Sequence, residues 1–176
     1  MAVWNVIGHT ELGASATSVS FTSIPASNDH LVLLSSARSD VSSYTSFMNF
    51  QVNGDTGSNY SRTALNANTS TINSVAGTGG TVWTYNYIAA ASALADTFGT
   101  CETWFMNYSN TTNYTQIMTR SVLANNSSSA SQWGVRFEGG LWVNTAAVNR
   151  VDALQSGGDD FVQYSSFTLY GINGAG

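Results

Sequence analysis

The amino-acid sequence predicts one all-β domain, an antiparallel β-sandwich, with the jelly roll as its favoured form. Three observations support this fold class. Apolar and polar residues alternate with a period of two in many short runs, as in half-buried strands. Turn signals rich in Gly, Asn and Ser separate these runs. No long stretch repeats apolar residues at helical spacing, and 176 residues are enough for one core.

The first half of the chain supplies the predicted central strands. The run 17–24 alternates and stops at Pro25, the only proline, which cannot donate to a strand ladder. Segment 30–36 contains four consecutive large apolar residues, so we expect a central strand buried on both faces. Segment 47–52 alternates again, and 53–59 contains Asn-Gly, which is typical of a tight turn.

The strands of the middle and second half are shorter and separated by polar loops. Segment 60–65 is the predicted return strand, and 66–80, without periodicity, is expected to be a long surface loop. After a strand at 83–88, the alanine-rich 89–95 is expected to form a connection or two helical turns. Further strands are predicted at 100–108, 114–124, 132–138, 140–144, 148–154 and 161–172.

One of these strands shows the alternation most clearly. Two charged residues, Arg136 and Glu138, alternate with three apolar ones, Trp133, Val135 and Phe137. This is the pattern of a strand with one buried face. The Gly139-Gly140 pair that follows is predicted to form a tight turn.

The composition excludes several classes of function. Charged residues make up 9% of the chain, the net charge is −5, and Ser, Thr and Asn together number 62. Hydroxyls and amides therefore supply most of the polar surface. The five basic residues, all Arg and widely spaced, are too few for nucleic-acid binding. Because the chain has no Lys, a lysine-dependent phosphate loop and a lysine nucleophile are also excluded.

No segment indicates export or membrane insertion. The first basic residue is Arg38, so the charged start of a secretory signal is missing. The longest apolar-or-small run, 88–95, is far shorter than the roughly 20 residues that span a bilayer. Cys101 is the only cysteine and cannot form an intramolecular disulfide. We therefore expect synthesis in a cytoplasm and no membrane partner.

No catalytic, cofactor or metal site is predicted. His9 and His30 lack the spacing of metal ligands. Segment 13–17 lacks the last glycine of a nucleophile elbow. The adjacent acids Asp159 and Asp160 follow two glycines in a turn, which favours a structural role over glycoside hydrolysis.

Three other features are also better explained by structure than by chemistry. Asn53, Asp55 and Asn59 offer oxygen ligands, but their loop lacks the acids of a calcium loop, so turn chemistry is favoured. Segment 77–80 lacks the third glycine and the helix of a dinucleotide site. Cys101 begins an apolar strand and is predicted to be a buried small hydrophobe.

The aromatic residues are the feature that points to a ligand. A flat ring beside amides and carboxylates suits a glycan site. The candidates include the five tryptophans Trp4, Trp83, Trp104, Trp133 and Trp142. Most of the aromatic residues lie in strand patterns, which favours the core for them.

Several segments together resemble small structural proteins of tailed bacteriophages, especially cyanophages and other marine phages. They are 21–25 with 30–39, 52–61, 140–150 and 161–172. The resemblance implies a protein of the virion surface, a capsid decoration (cement) protein or a fibre-tip module, on a β-sandwich and as a trimer. It implies the major capsid protein or other virion proteins as partners and carries over no functional residues.

The residues and the resemblance together leave two functions open. The first is a non-enzymatic decoration protein that stabilises the phage head, and the second is a carbohydrate-binding tail-fibre or receptor-binding module. A depolymerase is disfavoured because the chain is short and marks no acid pair. We expect one domain over 1–176, with 1–15 as a candidate N-terminal arm, and a homo-oligomer, because little charge and one proline protect the strand edges.

Overall fold

A computed structural model describes residues 3–68, 71–125 and 134–174, and this part of the chain forms twelve β-strands and no α-helix. The strands are β1 Val3–Glu11, β2 Ser18–Phe21, β3 His30–Ala37, β4 Thr45–Val52, β5 Tyr60–Ala67, β6 Ile72–Gly80, β7 Trp83–Ala89, β8 Gly99–Met106, β9 Thr115–Leu123, β10 Gly134–Trp142, β11 Val151–Gln155 and β12 Ser166–Asn173. A short 3-10 turn, Ser156–Gly158, follows β11.

The strands form two sheets in which all ladders between named strands are antiparallel. The large sheet has eight strands in the order β1-β12-β3-β8-β9-β10-β5-β6, and the small sheet has the order β2-β11-β4-β7. Side chains of both sheets share one core, as in a β-sandwich. The predicted all-β class and antiparallel sheets are confirmed, whereas the jelly roll is not confirmed by this strand order.

The core lies between the two sheets and is rich in aromatic rings. Phe50 of β4 stacks on Trp83 of β7 with ring centroids 6.0 Å apart, and meets Phe105 of β8 edge-on at 6.4 Å. All three side chains are fully buried. Burying one such side chain is worth about 1.5–3 kcal/mol, so these contacts hold the sheets together.

The predicted central strand is confirmed. β3 lies between β12 and β8 and is the third strand from the β1 edge of the large sheet. Leu31, Val32 and Leu33 are fully buried, which explains most of the continuous apolar run, whereas Leu34, the fourth residue expected to be buried, is 37% exposed.

Three expectations about the strands are wrong. Segment 60–65, expected to return beside 47–52, forms β5 of the large sheet, whereas β4 lies in the small sheet, so the loop 53–59 crosses between the sheets. Residues 72–80, expected within a loop, form β6, which pairs with β5 at the edge of the sheet. An edge strand exposed on both faces needs no apolar alternation, so periodicity did not find it. Gly139 and Gly140 do not form a turn but lie inside β10. Glycine is required at 140 because a Cβ there would lie 1.7 Å from Nε1 of Trp83.

The N-terminal segment and the alanine-rich segment are both held by specific contacts. Residues 3–11 of the candidate arm form β1, which pairs with β12.

The alanine-rich segment after β7 is an irregular connection, and the Arg38 guanidinium donates hydrogen bonds of 2.8–3.2 Å to four of its carbonyls. These carbonyls belong to Ala91, Ala93, Leu94 and Thr97. The cation therefore fixes the connection in place of helical hydrogen bonds.

In the described ranges, no helix has the length and apolar character needed to cross a membrane.

Candidate functional site

The large sheet has an inner face that packs on the small sheet and an outer face on the opposite side. Because side chains alternate along each strand, the ladder registers define which residues share the outer face. One row crosses all eight strands: His9, Thr168, Leu34, Glu102, Arg120, Phe137, Leu65 and Ser74. This face carries most of the exposed apolar residues of the sheet and is the candidate site.

The half of the outer face formed by β9, β10, β5 and β6 is mainly apolar, with Arg120 of β9 as its exposed charge. Its large apolar side chains are between 36% and 75% exposed. We call this set the apolar patch: Leu65, Ile72, Met118, Val122, Val135 and Phe137. Within it, Val122 faces Val135, and Phe137 faces Leu65, across neighbouring strands. The patch is therefore continuous across the sheet.

The apolar patch corrects the expectation for β10. The predicted half-buried alternation is present, but the apolar residues Val135 and Phe137 are the exposed ones, and Arg136 and Glu138 are buried. Trp133 lies outside the described residues. The strand thus directs its charges inward and its apolar side chains to solvent.

A buried ion pair explains this inversion. The Arg136 guanidinium lies 2.5 Å from Oε2 of Glu138 and also donates to Oδ1 of Asn66 at 2.5 Å. Burial raises the pKa of Glu138 more than the nearby guanidinium groups of Arg136 and Arg62 lower it. The inner face therefore holds a desolvated charge pair in which Oε2 of Glu138 binds the guanidinium and the buried Oε1 has no hydrogen-bond partner among the described residues.

The other half of the outer face, formed by β1, β12, β3 and β8, carries an aromatic cluster. We use this name for Trp4, Trp104 and Tyr170. The ring of Trp4 lies 6.0 Å from that of Trp104 and 5.6 Å from that of Tyr170, both edge-on. Val32 stands between Tyr170 and Trp104 in the register and is fully buried although it points outward. We infer that the rings cover it.

A carboxylate, Glu102, and a guanidinium, Arg120, lie beside the aromatic cluster. The indole N–H of Trp104 donates to Glu102 Oε1. The other carboxylate oxygen of Glu102 accepts from Arg120 at 2.7 and 2.8 Å. The Arg120 side chain is 67% exposed, so the pair fixes one guanidinium edge and leaves the remainder at the surface.

The loop 53–59 is fixed by hydrogen bonds of its polar side chains. The Asp55 carboxylate accepts hydrogen bonds from the Trp142 indole at 2.7 Å, from the Asn59 amide and from the Gly57 N–H. Although desolvation raises it, these three hydrogen bonds together hold the pKa of Asp55 below its usual value. Asn53 Oδ1 accepts from two backbone N–H groups of the loop before β11. Turn chemistry accounts for all three polar residues.

The remaining predicted candidates are not brought together. His9 contacts Thr168, whereas His30 accepts a hydrogen bond from the backbone of Asn107. Within the described ranges, no three metal-ligating side chains cluster. Asp159 and Asp160 lie in the segment after the 3-10 turn, where the Asp160 N–H donates to Asp40. Segment 13–17 contributes a single bridge to the sheet, and 77–80 belongs to β6.

The buried thiol and two of the tryptophans behave as predicted. Cys101 is free and buried, and its sulfur contacts the hydroxyls of Thr103 and Thr119. Burial raises the pKa of Cys101 to about 11. Trp83 and Trp142 are core residues. The aromatic cluster, by contrast, was visible in the sequence only as a composition, because its three members are far apart along the chain.

Comparison with known proteins gives no match: no family model, no curated protein and no solved structure is significantly similar to this chain.

Proposed function

We propose that this chain is a non-enzymatic structural protein of a phage virion, and that it decorates the capsid through its apolar patch. The observation that carries the proposal is the exposure of six large apolar side chains on one sheet face. A sheet face that stays in water normally carries polar residues. Continuous apolar patches on folded domains mark contact surfaces. The sequence resemblance to virion proteins supports the same partner.

The size of the apolar patch favours a repeated target. Four strands at about 4.8 Å spacing and three residue rows give a patch of roughly 300 Å². Its burial is worth about 7.5 kcal/mol at about 25 cal/mol per Å². Association itself costs about 4–15 kcal/mol, so a single copy binds weakly. Several linked copies that engage neighbouring capsomers would bind strongly, because each later contact is intramolecular.

A homo-oligomer would supply these linked copies. In the described part of the chain, β6 is the edge strand of the large sheet opposite β1. The sequence of β6 contains no charged residue and no proline. Such an edge readily pairs with another strand unless an assembly covers it. A closed symmetric oligomer removes this hazard. We propose a homo-oligomer, with a trimer as the state that the resemblance implies.

The charges near the apolar patch are consistent with attachment that resists salt. In the outer row that crosses the patch, Arg120 is paired with Glu102. Contacts made by apolar area and amide groups are not screened by ions, unlike ion pairs. The proposed partner is therefore the apolar or amide-rich surface of the major capsid protein, and the proposed location is the virion.

Particles that lack the protein provide the test. The purified chain is mixed with them, sedimented at low and high salt, and located by electron microscopy, with its oligomeric state measured by light scattering. We expect saturable, salt-insensitive binding at lattice positions. The double substitution Phe137→Ser with Leu65→Ser should weaken binding by about a hundredfold through lost apolar burial. Tyr44→Ser, which removes an exposed ring on the small-sheet side, is the matched control.

Two results would overturn the proposal: wild-type protein that does not bind particles, or a double variant that binds as the wild type does. Circular dichroism and melting of each variant show whether the fold is intact.

Carbohydrate binding is the second candidate function, and the aromatic cluster favours it. Density confined to the tail or fibres would support that alternative.

A further inference from the structure

The outer face carries a second feature that capsid attachment does not use. Trp4 and Trp104 lie on strands separated by β12 and β3, a distance of about 14 Å, yet their rings approach to 6.0 Å. Both indoles therefore lean toward each other across the sheet. Trp4 is still 48% exposed, so part of an ordered aromatic surface faces solvent.

Polar groups border this aromatic surface in a fixed arrangement. Glu102 accepts the Trp104 N–H through one oxygen and binds Arg120 through the other. The Trp104 ring is therefore oriented by a charged acceptor. The Arg120 guanidinium has five N–H donors, and two of its nitrogens contact Glu102. Donors on its exposed side remain able to bind a ligand hydroxyl.

A pyranose ring matches both parts of the arrangement. Its C–H face packs on an aromatic ring, and its neighbouring hydroxyls suit the planar donors of Arg and the acceptors of a carboxylate. We propose that the aromatic cluster, with Glu102 and Arg120, binds a neutral saccharide.

The charges decide in favour of a neutral ligand. Glu102 compensates Arg120 at 2.7 Å, so the site offers no net positive charge. The whole chain carries a net charge of −5, which repels uronic acids and other anionic sugars. The site lies on the face of a sheet, which suits a stretch of polysaccharide lying across the strands.

Affinity electrophoresis of the full chain tests the proposal. Soluble glucan, mannan and galactan serve as neutral probes, and alginate is the anionic comparator. We expect retardation by at least one neutral polymer and none by alginate. Trp4→Ala should weaken binding by about tenfold or more, and Trp4→Tyr should retain it. Arg120→Gln should weaken binding by about tenfold through lost hydrogen bonds.

Controls separate recognition from packing and from particle attachment. Trp4→Ala also removes packing from β1, so melting temperatures are measured alongside, and the exposed Arg120 gives a test that does not depend on packing. Ile72→Ser, in the apolar patch but on the edge strand β6, should leave saccharide binding unchanged, and Trp4→Ala should leave particle binding unchanged. The proposal fails if no neutral polymer retards the wild type, if alginate binds more strongly, or if Trp4→Ala binds normally.

Discussion

The two faces of the large sheet carry similar groups with opposite consequences. Each face has an Arg–Glu pair, Arg136–Glu138 on the inner face and Arg120–Glu102 on the outer face. The side chains are 5% and 0% exposed in the first pair, and 67% and 20% exposed in the second. Solvent access, and not residue type, separates structural groups from groups available to a partner.

The difference follows from the electrostatics of burial. A buried pair has lost its hydration, so removing one partner leaves a charge with no compensation. An exposed pair gains little, because water competes for both partners and ions screen them. The inner pair should therefore matter for stability, whereas the outer pair should matter for binding.

The largest expected effect comes from removing one acid from each face. Glu138→Ala should lower the free energy of unfolding by about 3–5 kcal/mol, because Arg136 stays buried without its carboxylate. Glu102→Ala should cost less, about 1–2 kcal/mol, because Arg120 stays hydrated and the main loss is the hydrogen bond from the Trp104 indole. Urea unfolding at neutral pH measures both values. Equal losses for the two variants would show that the faces do not differ in this way.

Adjacent glycines of β10 provide a second, smaller contrast. A Cβ at Gly140 would lie 1.7 Å from the Trp83 indole, whereas a Cβ at Gly139 has no atom within 4 Å. Gly140→Ala should therefore destabilise the fold by about 1–3 kcal/mol through overpacking. Gly139→Ala should change stability by less than about 0.5 kcal/mol.

Thermal melting of both variants measures this contrast. Loss of near-ultraviolet circular dichroism in Gly140→Ala would report the displaced Trp83 directly. If Gly139→Ala were the more harmful change, the assignment of inner and outer faces in β10 would be wrong.

The parts of the fold that sequence could predict are those governed by alternation. β4 was found because Met48, Phe50 and Val52 all face the core. β6 was missed because an edge strand with two exposed faces carries no periodic signal. The face of β10 could not be assigned, since a buried ion pair is an exception to the rule that charges lie outside.

The candidate site was less predictable than the fold, for a geometric reason. Trp4, Trp104 and Tyr170 meet only through the order β1-β12-β3-β8, which joins distant parts of the chain. Local patterns contain no information on that order. The sequence therefore indicated aromatic side chains as candidates without showing which of them meet.

The smallest expected effect is a pH dependence specific to the inner face. Burial raises the pKa of Glu138 above its unfolded value, against the opposing charges of Arg136 and Arg62. The folded state then binds this proton more tightly than the unfolded state. The contribution of this group to stability is complete below the unfolded pKa and is lost as pH rises through the folded pKa.

In Glu138→Gln this dependence on pH should disappear. Melting temperatures are measured for both proteins across the acidic to neutral range. The melting temperature of the wild type should fall relative to that of Glu138→Gln as pH rises. The opposite trend would mean that the ion pair with Arg136 outweighs desolvation, and Glu102→Gln serves as the control on the outer face.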